Sequence, residues 1–304
     1  MSHLILGSRG SVLALAQVAI VKGALATFNP SLEIEVKIIT TSGDRRQEVK
    51  AGEGSDAGLK GLFTKEIQDA LLNGSIHAAV HSLKDLPGIT PPSLGLAAVL
   101  PRADTSDLLI SPDAAGPITL DALSPGARLG TGSVRRRRQI EWLRPGLEIV
   151  DLRGNVPTRV QRVKEGELRE LPLHGTVLAA AGLNRLGLDL SGLSVRPFAP
   201  QELLPAPAQG ALLVEARAGD QALIEALAGF HHPLTRRLVT LERSVLAGIG
   251  GGCQQPLGAL AVVEPDGAIL LRAAYALEGE IRVAEARGED DGALVAQVLR
   301  GLGL

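Results

Sequence analysis

The sequence predicts an α/β protein with mostly parallel sheets, followed by a small α+β portion. Two observations support this class. Short apolar strands alternate with helices from His3 to Ala216, and the alternation stops after Asp220, where two helices precede a β-hairpin. The length of 304 residues fits two domains or three small ones.

The first group of elements begins with a short buried strand, His3–Ser8. Apolar residues at helical spacing predict a helix from Val12 to about Phe28, and alternating apolar residues predict a strand from Glu33 to Thr40. The segment Ser42–Gly61 is rich in glycine and charged residues, which is typical of a functional lid or a disordered loop. The other expected elements here are a helix, Phe63–Asn73, and two strands, His77–His81 and Leu96–Leu100.

The pattern then restarts. The expected strands are Asp107–Ile110, Arg128–Thr131, Glu148–Leu152, Thr176–Ala180 and Ala211–Ala216, and the expected helices are Ser133–Leu143, Val156–Lys164 and a short one around Leu183. A proline-rich connector, Pro197–Pro207, precedes the last of these strands. The final portion is expected to hold helices Gln221–Ala228, Pro233–Ala247 and Ala293–Leu299, with strands Ile269–Leu277 and Ile281–Arg287 paired across Glu278-Gly279-Glu280.

Composition excludes several classes of protein. A formal net charge of -2 gives no general argument for nucleic acid, and 2% aromatic residues argue against base-stacking surfaces. A single cysteine excludes an internal disulfide and an all-cysteine zinc site. There is no apolar run of membrane-spanning length and no secretory pattern at the N-terminus, so we expect a cytoplasmic protein without a membrane partner.

Arginine is distributed unevenly. The chain has 24 Arg and 7 Lys, and the stretch 128–185 is strongly basic within a chain of near-zero net charge. Arginines follow predicted strands at positions where the strand turns into a helix, namely Arg9, Arg135, Arg136, Arg153, Arg159 and Arg185. Because a guanidinium grips a carboxylate or phosphate at two points, arginines that converge on one crevice predict a substrate with many such groups.

Two further sites can carry chemistry. Ser82, Lys84 and Asp85 follow a strand, where open α/β sheets place ligands, although a surface ion pair explains the two charged residues equally well. His77 and His81 are interpreted as packed histidines rather than zinc ligands. Cys253 lies in a glycine-rich loop with no apolar neighbours in sequence, which favours a reactive or modified thiol over a buried one.

These strings resemble the porphobilinogen deaminase (hydroxymethylbilane synthase) family from about Leu4 to about Arg287. The matching pieces are Ser8-Arg9-Gly10-Ser11, Lys60-Gly61-Leu62-Phe63-Thr64-Lys65-Glu66, Ala79 through Pro87, Gly130-Thr131 through Arg136, Leu152 through Val156 with Thr158-Arg159, Ala181-Gly182-Leu183 with Arg185, and Gly251-Gly252-Cys253-Gln254.

The resemblance implies three domains, of which the first two are lobes similar to type II periplasmic binding proteins with mixed, mostly parallel sheets. Their expected extents are residues 1–101 with 202–219, and 106–198, and the α+β domain with the cysteine covers 222–304. It also implies a dipyrromethane cofactor joined to Cys253 by a thioether. Four porphobilinogen molecules are added head to tail, each losing ammonia, and hydroxymethylbilane is released and passed to uroporphyrinogen-III synthase. A monomer is expected, with no metal.

The resemblance also implies roles for individual residues. Asp85 is the expected catalytic carboxylate, since a fixed carboxylate stabilises positive charge on pyrrole N–H groups. The expected cofactor contacts are Ser82, Lys84, Asp85, Ser133, Arg135, Arg136 and Cys253. The expected substrate contacts are Arg9, Ser11, Lys60, Phe63, Arg153, Arg159 and Arg185.

Several residues depart from the family pattern: Arg137 and Arg138 extend the arginine pair, Gly132 replaces a serine, Leu59 and Ala208 replace glycines, and Asp56 replaces a lysine. They affect the expected lid more than the reaction. Two other functions fit the same arginines, namely a two-lobed carboxylate- or phosphate-binding protein without catalysis, and an RNA-binding protein with strong salt dependence and no covalent cofactor.

Overall fold

Two five-stranded sheets, a three-stranded sheet and a two-stranded ribbon organise the part of the chain that the structure describes. The structure is a computed structural model and describes residues 2–41, 64–112, 118–252 and 255–304. The chain groups into two compact units. Unit 1 comprises Met1–Ala103 and Gly210–Arg237, and unit 2 comprises Asp104–Gln209 and Leu238–Leu304.

The described strands are β1 (His3–Ser8), β2 (Glu33–Ile38), β3 (Ala78–Ser82), β4 (Leu94–Val99), β5 (Asp107–Pro112), β6 (Arg128–Gly130), β7 (Glu148–Val150), β8 (Glu167–Leu168), β9 (Leu171–Pro172), β10 (Gly175–Ala179), β11 (Leu193–Pro197), β12 (Leu212–Arg217), β13 (Leu257–Val263), β14 (Ile269–Leu277) and β15 (Glu280–Gly288). The described α-helices are α1 (Val12–Phe28), α2 (Lys65–Leu72), α3 (Val134–Leu143), α4 (Val156–Glu165), α5 (Ala180–Leu186), α6 (Gln221–Leu227), α7 (Pro233–Gly248) and α8 (Asp291–Gly301). Single 3-10 turns lie at Leu83–Asp85, Leu120–Ala122 and Ala228–Phe230.

The sheet of unit 1 has the order β2-β1-β3-β12-β4. Strand β1 pairs in parallel with β2 and β3, whereas β12 pairs antiparallel with β3 and β4. Alternate residues of β3 point to opposite faces. Ala78 and Val80 pack in the core that holds α1, and Ala79 packs in the core that holds α2. The sheet is therefore buried on both faces.

The larger sheet of unit 2 has the order β11-β5-β10-β6-β7. Strands β10, β6 and β7 are parallel neighbours, and β5 is antiparallel to β10 and β11. The predicted α/β class with mixed sheets is confirmed. The expected parallel majority is not found in the described sheets. In the sheet of unit 1, β12 runs opposite to both of its neighbours, and in the large sheet of unit 2, β5 does the same. Half of the strand pairs in each five-stranded sheet are therefore antiparallel.

The three-stranded sheet, β13-β14-β15, packs against α7 and α8 within unit 2. Its other face packs closely against Leu204, in the segment that precedes Gln209. A Cβ atom on Gly258 would lie 2.7 Å from the backbone oxygen of Leu204 and 2.8 Å from the Nε2 atom of Gln139. Glycine at this position is what lets β13 approach the backbone of Leu204.

Most predicted elements form within a few residues of the expected bounds. The hairpin across Glu278-Gly279 is confirmed, with Leu277 paired to Glu280. Sequence patterns missed the short strands β8, β9 and β11, and also β13, whose glycine interrupts its apolar pattern. The predicted helix at Phe63–Asn73 begins at Lys65 in the described part of the chain, and the expected lid, Ser42–Gly61, lies outside the described residues.

The division into three domains stays a prediction, since residues after Leu238 group with Asp104–Gln209 in one unit. The return of the chain to unit 1 occurs at Gly210. Just before it, Gln209 N–H donates to the Ala206 oxygen at 2.9 Å, with Pro207 and Ala208 between them. Ala208 has φ +61°, the left-handed conformation that glycine adopts without strain, so this departure from the family pattern occupies a turn that favours glycine. None of the described helices has the length and apolar character needed to cross a membrane.

Candidate active site

Asp85 lies in unit 1 on the 3-10 turn that directly follows β3. The turn is anchored by Leu83, whose side chain is completely buried and whose N–H donates to the Ala211 oxygen at 3.1 Å. Asp85 itself is exposed and Lys84 is half-buried. The anchor holds the backbone of the turn against the sheet and leaves the carboxylate accessible to a ligand.

Arg9 and Ser11 follow β1, the parallel neighbour of β3. Carboxyl ends of adjacent parallel strands meet at one edge of a sheet, so these residues share an edge with Lys84 and Asp85. Ser11 caps α1 and accepts a hydrogen bond from Ala14 N–H at 3.3 Å. Its hydroxyl oxygen therefore serves the helix in this structure.

Ser82 is held at the end of β3 by Gln17 of α1, whose Nε2 atom donates to the Ser82 hydroxyl at 2.7 Å. The two histidines on this segment take separate structural partners. The Nδ1 atom of His77 accepts from Ile5 N–H at 3.0 Å, and the buried His81 faces the buried Glu215 across 3.1 Å. Their interpretation as packed histidines agrees with these contacts.

Arg135 and Arg136 of unit 2 are almost completely buried, and both bind Asp107. The Nη1 atom of Arg135 lies 2.7 Å from one carboxylate oxygen of Asp107, and the Nη2 atom of Arg136 lies 2.7 Å from the other. Asp107 is the first residue of β5 and is completely buried. The sequence placed the arginines at the start of a helix, where positive charge is unfavourable, and this buried carboxylate offsets that cost.

The electrostatics of the pair are set by burial and by opposite charge. Burial by itself raises the pKa of Asp107, but the guanidinium groups of Arg135 and Arg136 outweigh it and hold the pKa well below its ordinary value. Asp107 is therefore ionised throughout the physiological range. One carboxylate faces two guanidiniums, so the buried group retains a positive charge.

Arg153 and Arg159 form a second cluster. Arg153 lies in the loop after β7, and Arg159 lies near the start of α4. The Nε atom of Arg153 donates to Asp151 at 2.8 Å, and the Nε atom of Arg159 donates to the Gly154 oxygen at 2.8 Å. Burial, followed by repulsion from Arg136 and Arg153 and partly offset by Asp151, lowers the pKa of Arg159 to about 10. Arg136 and Arg153 therefore both repel the positive charge of Arg159.

Ser133 and Arg185 complete the predicted set in unit 2. Ser133 caps α3 and accepts from Arg136 N–H at 3.4 Å. Arg185 is half-buried in the last turn of α5, and burial lowers its pKa. Both follow strands of the same parallel set, β6 and β10. The convergence of Arg185 on the other arginines stays a prediction.

Three predicted site residues, Lys60, Phe63 and Cys253, lie outside the described residues. Sequence reasoning also missed Asp107, which organises the arginine pair. The available signal was a carboxylate at the start of an otherwise apolar strand, Asp107-Leu108-Leu109-Ile110. A buried carboxylate requires a compensating charge, and the basic helix α3 was the obvious source.

The residues of unit 2 fit a ligand that carries several carboxylates. Arg135, Arg136, Arg153 and Arg159 supply four guanidiniums against the two carboxylates of Asp107 and Asp151, which leaves two positive charges. The buried Nε atom of Arg135 has no hydrogen-bond partner among the described residues. Guanidinium donors with surplus charge suit the acetate and propionate groups of a dipyrromethane.

Comparisons with known proteins identify the family. The family model described as porphobilinogen deaminase, dipyromethane cofactor binding domain, matches residues 4–225, and that for the porphobilinogen deaminase C-terminal domain matches residues 237–300. The chain is 44% identical to the porphobilinogen deaminase of Sulfurimonas denitrificans, over 91% of this chain and 85% of that one. It is 42% identical to that of Thermus thermophilus, over 95% and 94%.

Solved structures include more distant similarities. The effector-binding domain of BenM with benzoate shares 18% identity at a TM-score of 0.45, covering 82% of this chain and 93% of that one. The reduced OxyR regulatory domain from Pseudomonas aeruginosa shares 16% at 0.42, covering 75% and 95%. The two family models together match most of the chain, and relatives above 40% identity extend over nearly all of it. This chain therefore belongs to the porphobilinogen deaminase family of transferases, which use a dipyrromethane cofactor in tetrapyrrole biosynthesis.

Proposed function

We propose that Asp85 of unit 1 and the arginines of unit 2 carry out the family's reaction in this chain. That reaction joins four porphobilinogen molecules head to tail, with loss of one ammonia at each step, and water then cleaves the bond to the cofactor and releases hydroxymethylbilane. The observation that carries the assignment is the charge of Arg159, which Arg136 and Arg153 both repel and which an anionic ligand would stabilise. Each porphobilinogen brings two carboxylates.

Asp85 is proposed to stabilise positive charge at the reacting ring. Its turn is anchored by the buried Leu83, so the exposed carboxylate needs little reorganisation when charge develops on a pyrrole N–H. Lys84 and Ser82, on the same segment, are proposed to contact the cofactor. Arg9 and Ser11, at the same edge of the sheet, are proposed to bind substrate carboxylates.

The arginines are proposed to bind and orient the acidic side chains of the cofactor and of the growing chain. Arg135, Arg136 and Ser133 would contact the cofactor, and Arg153, Arg159 and Arg185 would contact added units. Planar guanidinium groups fix a carboxylate at two points, which orients the ring that carries it. The dipyrromethane, when bound, supplies the pyrrole carbon to which the first substrate is joined. Cys253 is proposed as its point of attachment, and Lys60 and Phe63 as substrate contacts.

We propose that hydroxymethylbilane passes to uroporphyrinogen-III synthase, and that the chain acts as a cytoplasmic monomer. No nucleic-acid partner is proposed, because the arginines of unit 2 are partly balanced by Asp107 and Asp151.

Intact-mass measurement of the protein, with peptide mapping around Cys253, tests the attachment. Protein produced without a supply of porphobilinogen is compared before and after porphobilinogen is added. We expect a mass increase equal to two linked porphobilinogen units on the peptide that contains Cys253, and no increase in Cys253→Ala. An unchanged mass in the wild-type protein would instead favour a carboxylate-binding protein without catalysis.

The role of Asp85 is tested by Asp85→Asn in protein that already carries the cofactor. We expect kcat to fall by about 10²–10³, the usual cost of losing one preorganised charge-stabilising group, with KM much less affected. Asp69→Asn is the matched control, since Asp69 is an exposed carboxylate of unit 1 on α2. Near-normal turnover in Asp85→Asn would remove Asp85 from the mechanism.

A further inference from the structure

The carboxylate of Asp107 is shared among three side chains in the interior of unit 2. One oxygen accepts from the Nη1 atom of Arg135 at 2.7 Å. The other accepts from the Nε and Nη2 atoms of Arg136 at 3.2 and 2.7 Å, and from the Nε2 atom of Gln209 at 2.9 Å. All of these side chains are buried, so Asp107 fixes both guanidiniums relative to one strand.

Two of these partners, Arg135 and Gln209, are in turn held by the backbone. The Nη1 atom of Arg135 also donates to the Leu204 oxygen at 2.7 Å, and Gln139 binds both backbone groups of Leu204. Gln209 donates further to the Thr105 oxygen at 2.9 Å. A buried network whose members are bound on several sides is rigid. Arg135 therefore has little rotational freedom, and Arg136 is held through the same carboxylate by two donors.

The same network leaves donors unused. A guanidinium has five N–H donors. Among the described residues, hydrogen bonds engage only the Nη1 atom of Arg135 and the Nε and Nη2 atoms of Arg136. The remaining donors, together with one uncompensated positive charge, are the features that a carboxylate ligand requires.

We propose that Asp107 is a positioning residue, which orients Arg135 and Arg136 so that their remaining N–H donors face the carboxylates of the cofactor. This inference rests on the proposed function, because it assumes that the arginine pair binds that group. Asp107 does not touch the ligand in this proposal. It acts by fixing where two cationic ligand-binding groups lie.

A purely structural role for Asp107 makes a different prediction. If Asp107 only neutralised buried charge, any carboxylate at this position would restore both folding and cofactor uptake. If it positions the arginines, a carboxylate displaced by one methylene restores the charge but leaves the guanidiniums misplaced. Asp107→Glu therefore separates the two roles, and Asp107→Asn removes the charge while keeping the shape.

The experiment measures two quantities for each variant. One is the rate at which cofactor-free protein gains the mass of two linked porphobilinogen units, and the other is the midpoint of urea unfolding without porphobilinogen. Glu242→Gln is the matched control. Glu242 is another completely buried carboxylate of unit 2, and it accepts from Ala208 N–H at 2.6 Å and Ala261 N–H at 2.8 Å, with no arginine in those two bonds.

We expect Asp107→Asn to take up the cofactor at least tenfold more slowly than the wild-type protein. We expect Asp107→Glu to unfold at a higher urea concentration than Asp107→Asn, because it keeps the buried charge, yet to show most of the same slowing. Glu242→Gln should lower the unfolding midpoint without slowing uptake in the folded protein. If Asp107→Asn does not fold, the comparison of Asp107→Glu with Glu242→Gln still decides the question.

Wild-type uptake rates in Asp107→Glu would overturn the positioning role. Equal slowing in Glu242→Gln would also overturn it, since the effect would then follow from general loss of stability. Failure of the wild-type protein to gain any mass is a separate result. That outcome would contradict the proposed function itself and would be seen before any variant is measured.

Discussion

The Nε2 atom of His81 lies 3.1 Å from the Oε2 atom of Glu215, and both side chains are buried within unit 1. The two atoms are within hydrogen-bond distance but are not aligned as a hydrogen bond, and neither has another such partner among the described residues. The other oxygen of Glu215 accepts from the Nε2 atom of Gln68 at 3.2 Å. The two side chains therefore interact electrostatically in the interior of unit 1, next to helix α2, where burial reduces screening by water.

A double-mutant cycle on His81→Ala and Glu215→Ala measures this interaction. Each single change should lower the free energy of unfolding by about 2–4 kcal/mol, since it removes a buried group and leaves the other buried polar group without its close electrostatic contact. The double change should cost less than the sum by about 1 kcal/mol or more, because the second removal leaves no orphaned partner. Urea unfolding of the four proteins provides the values.

The exposed pair His3 and Glu35 is the control for this cycle. Its atoms are 3.5 Å apart and both side chains are more than one third exposed. Solvent screening should hold its coupling free energy below about 0.5 kcal/mol. If the coupling free energy of His81 and Glu215 did not exceed that of the exposed pair, their short distance would not reflect a stabilising interaction.

The turn between β14 and β15 offers a stabilising substitution. Glu278 and Gly279 occupy the two loop positions with φ values of +52° and +90°, the pattern of a type I′ turn. Asparagine adopts this conformation more easily than glutamate. Glu278→Asn should therefore raise the free energy of unfolding by about 0.5–1 kcal/mol, measured by urea unfolding.

Glu280→Asn is the control, since Glu280 is equally exposed but lies within β15. Asparagine is disfavoured in strands, so this change should leave stability unchanged or slightly lower. A loss of stability in Glu278→Asn would show that the glutamate side chain contributes more at the turn than its backbone strain costs.

The same hairpin illustrates what the sequence was sufficient to predict. Its two strands adjoin in sequence and are joined by two residues, so the information that determines the pairing is local. The start of α3 was equally local, since the helix predicted from Ser133 begins at Val134 with Ser133 as its cap. The strand order of the large sheets depends on distant residues. Strand β12 joins the sheet of unit 1 beside β4, although it follows β4 by more than a hundred residues. Alternation of strands and helices gave no sign of its antiparallel direction.

The buried charges show the opposite limit. Asp107 binds arginines 28 and 29 residues away, and Glu215 faces His81 from a strand far along the chain. No local periodicity connects such residues, because each sits on an element that is predicted separately. The candidate ligand-binding arginines could be found from their positions after strands. Their ranking by burial, with Arg136 buried and Arg153 exposed, required the packed structure.

The depressed pKa of Asp107 predicts how acid affects stability. The folded state holds this group ionised to a lower pH than the unfolded state does, because Arg135 and Arg136 outweigh the cost of burial. The stabilisation is complete above the ordinary carboxyl pKa near 3.8 and is lost as pH falls further. Below the ordinary carboxyl pKa, unfolding should take up close to one proton at Asp107, and stability should fall by up to about 1.4 kcal/mol per pH unit from this group.

Asp107→Asn checks that assignment. The variant should be less stable than wild type at pH 7, and its stability should depend less steeply on pH between about 5 and 2. The difference between the two proteins should therefore shrink as pH is lowered. Urea unfolding at a series of pH values gives both slopes, and parallel slopes would mean that another carboxylate governs acid unfolding.

Arg159 provides a prediction in which stability and binding change in opposite directions. Its lowered pKa means that its positive charge is unfavourable in the folded protein, first through burial and then through Arg136 and Arg153. Arg159→Gln should therefore keep or raise the Tm of the cofactor-free protein, although it loses the bond to the Gly154 oxygen. This charge is proposed to bind substrate carboxylates, so KM for porphobilinogen should rise by about tenfold or more.

Arg162→Gln is the control. Arg162 lies on an exposed face of the same helix and pairs with Glu165 at 2.9 Å, so its replacement should change neither Tm nor KM appreciably. A marked fall in Tm with an unchanged KM would make Arg159 a structural residue and would leave Arg136 and Arg153 as the cluster that binds carboxylates.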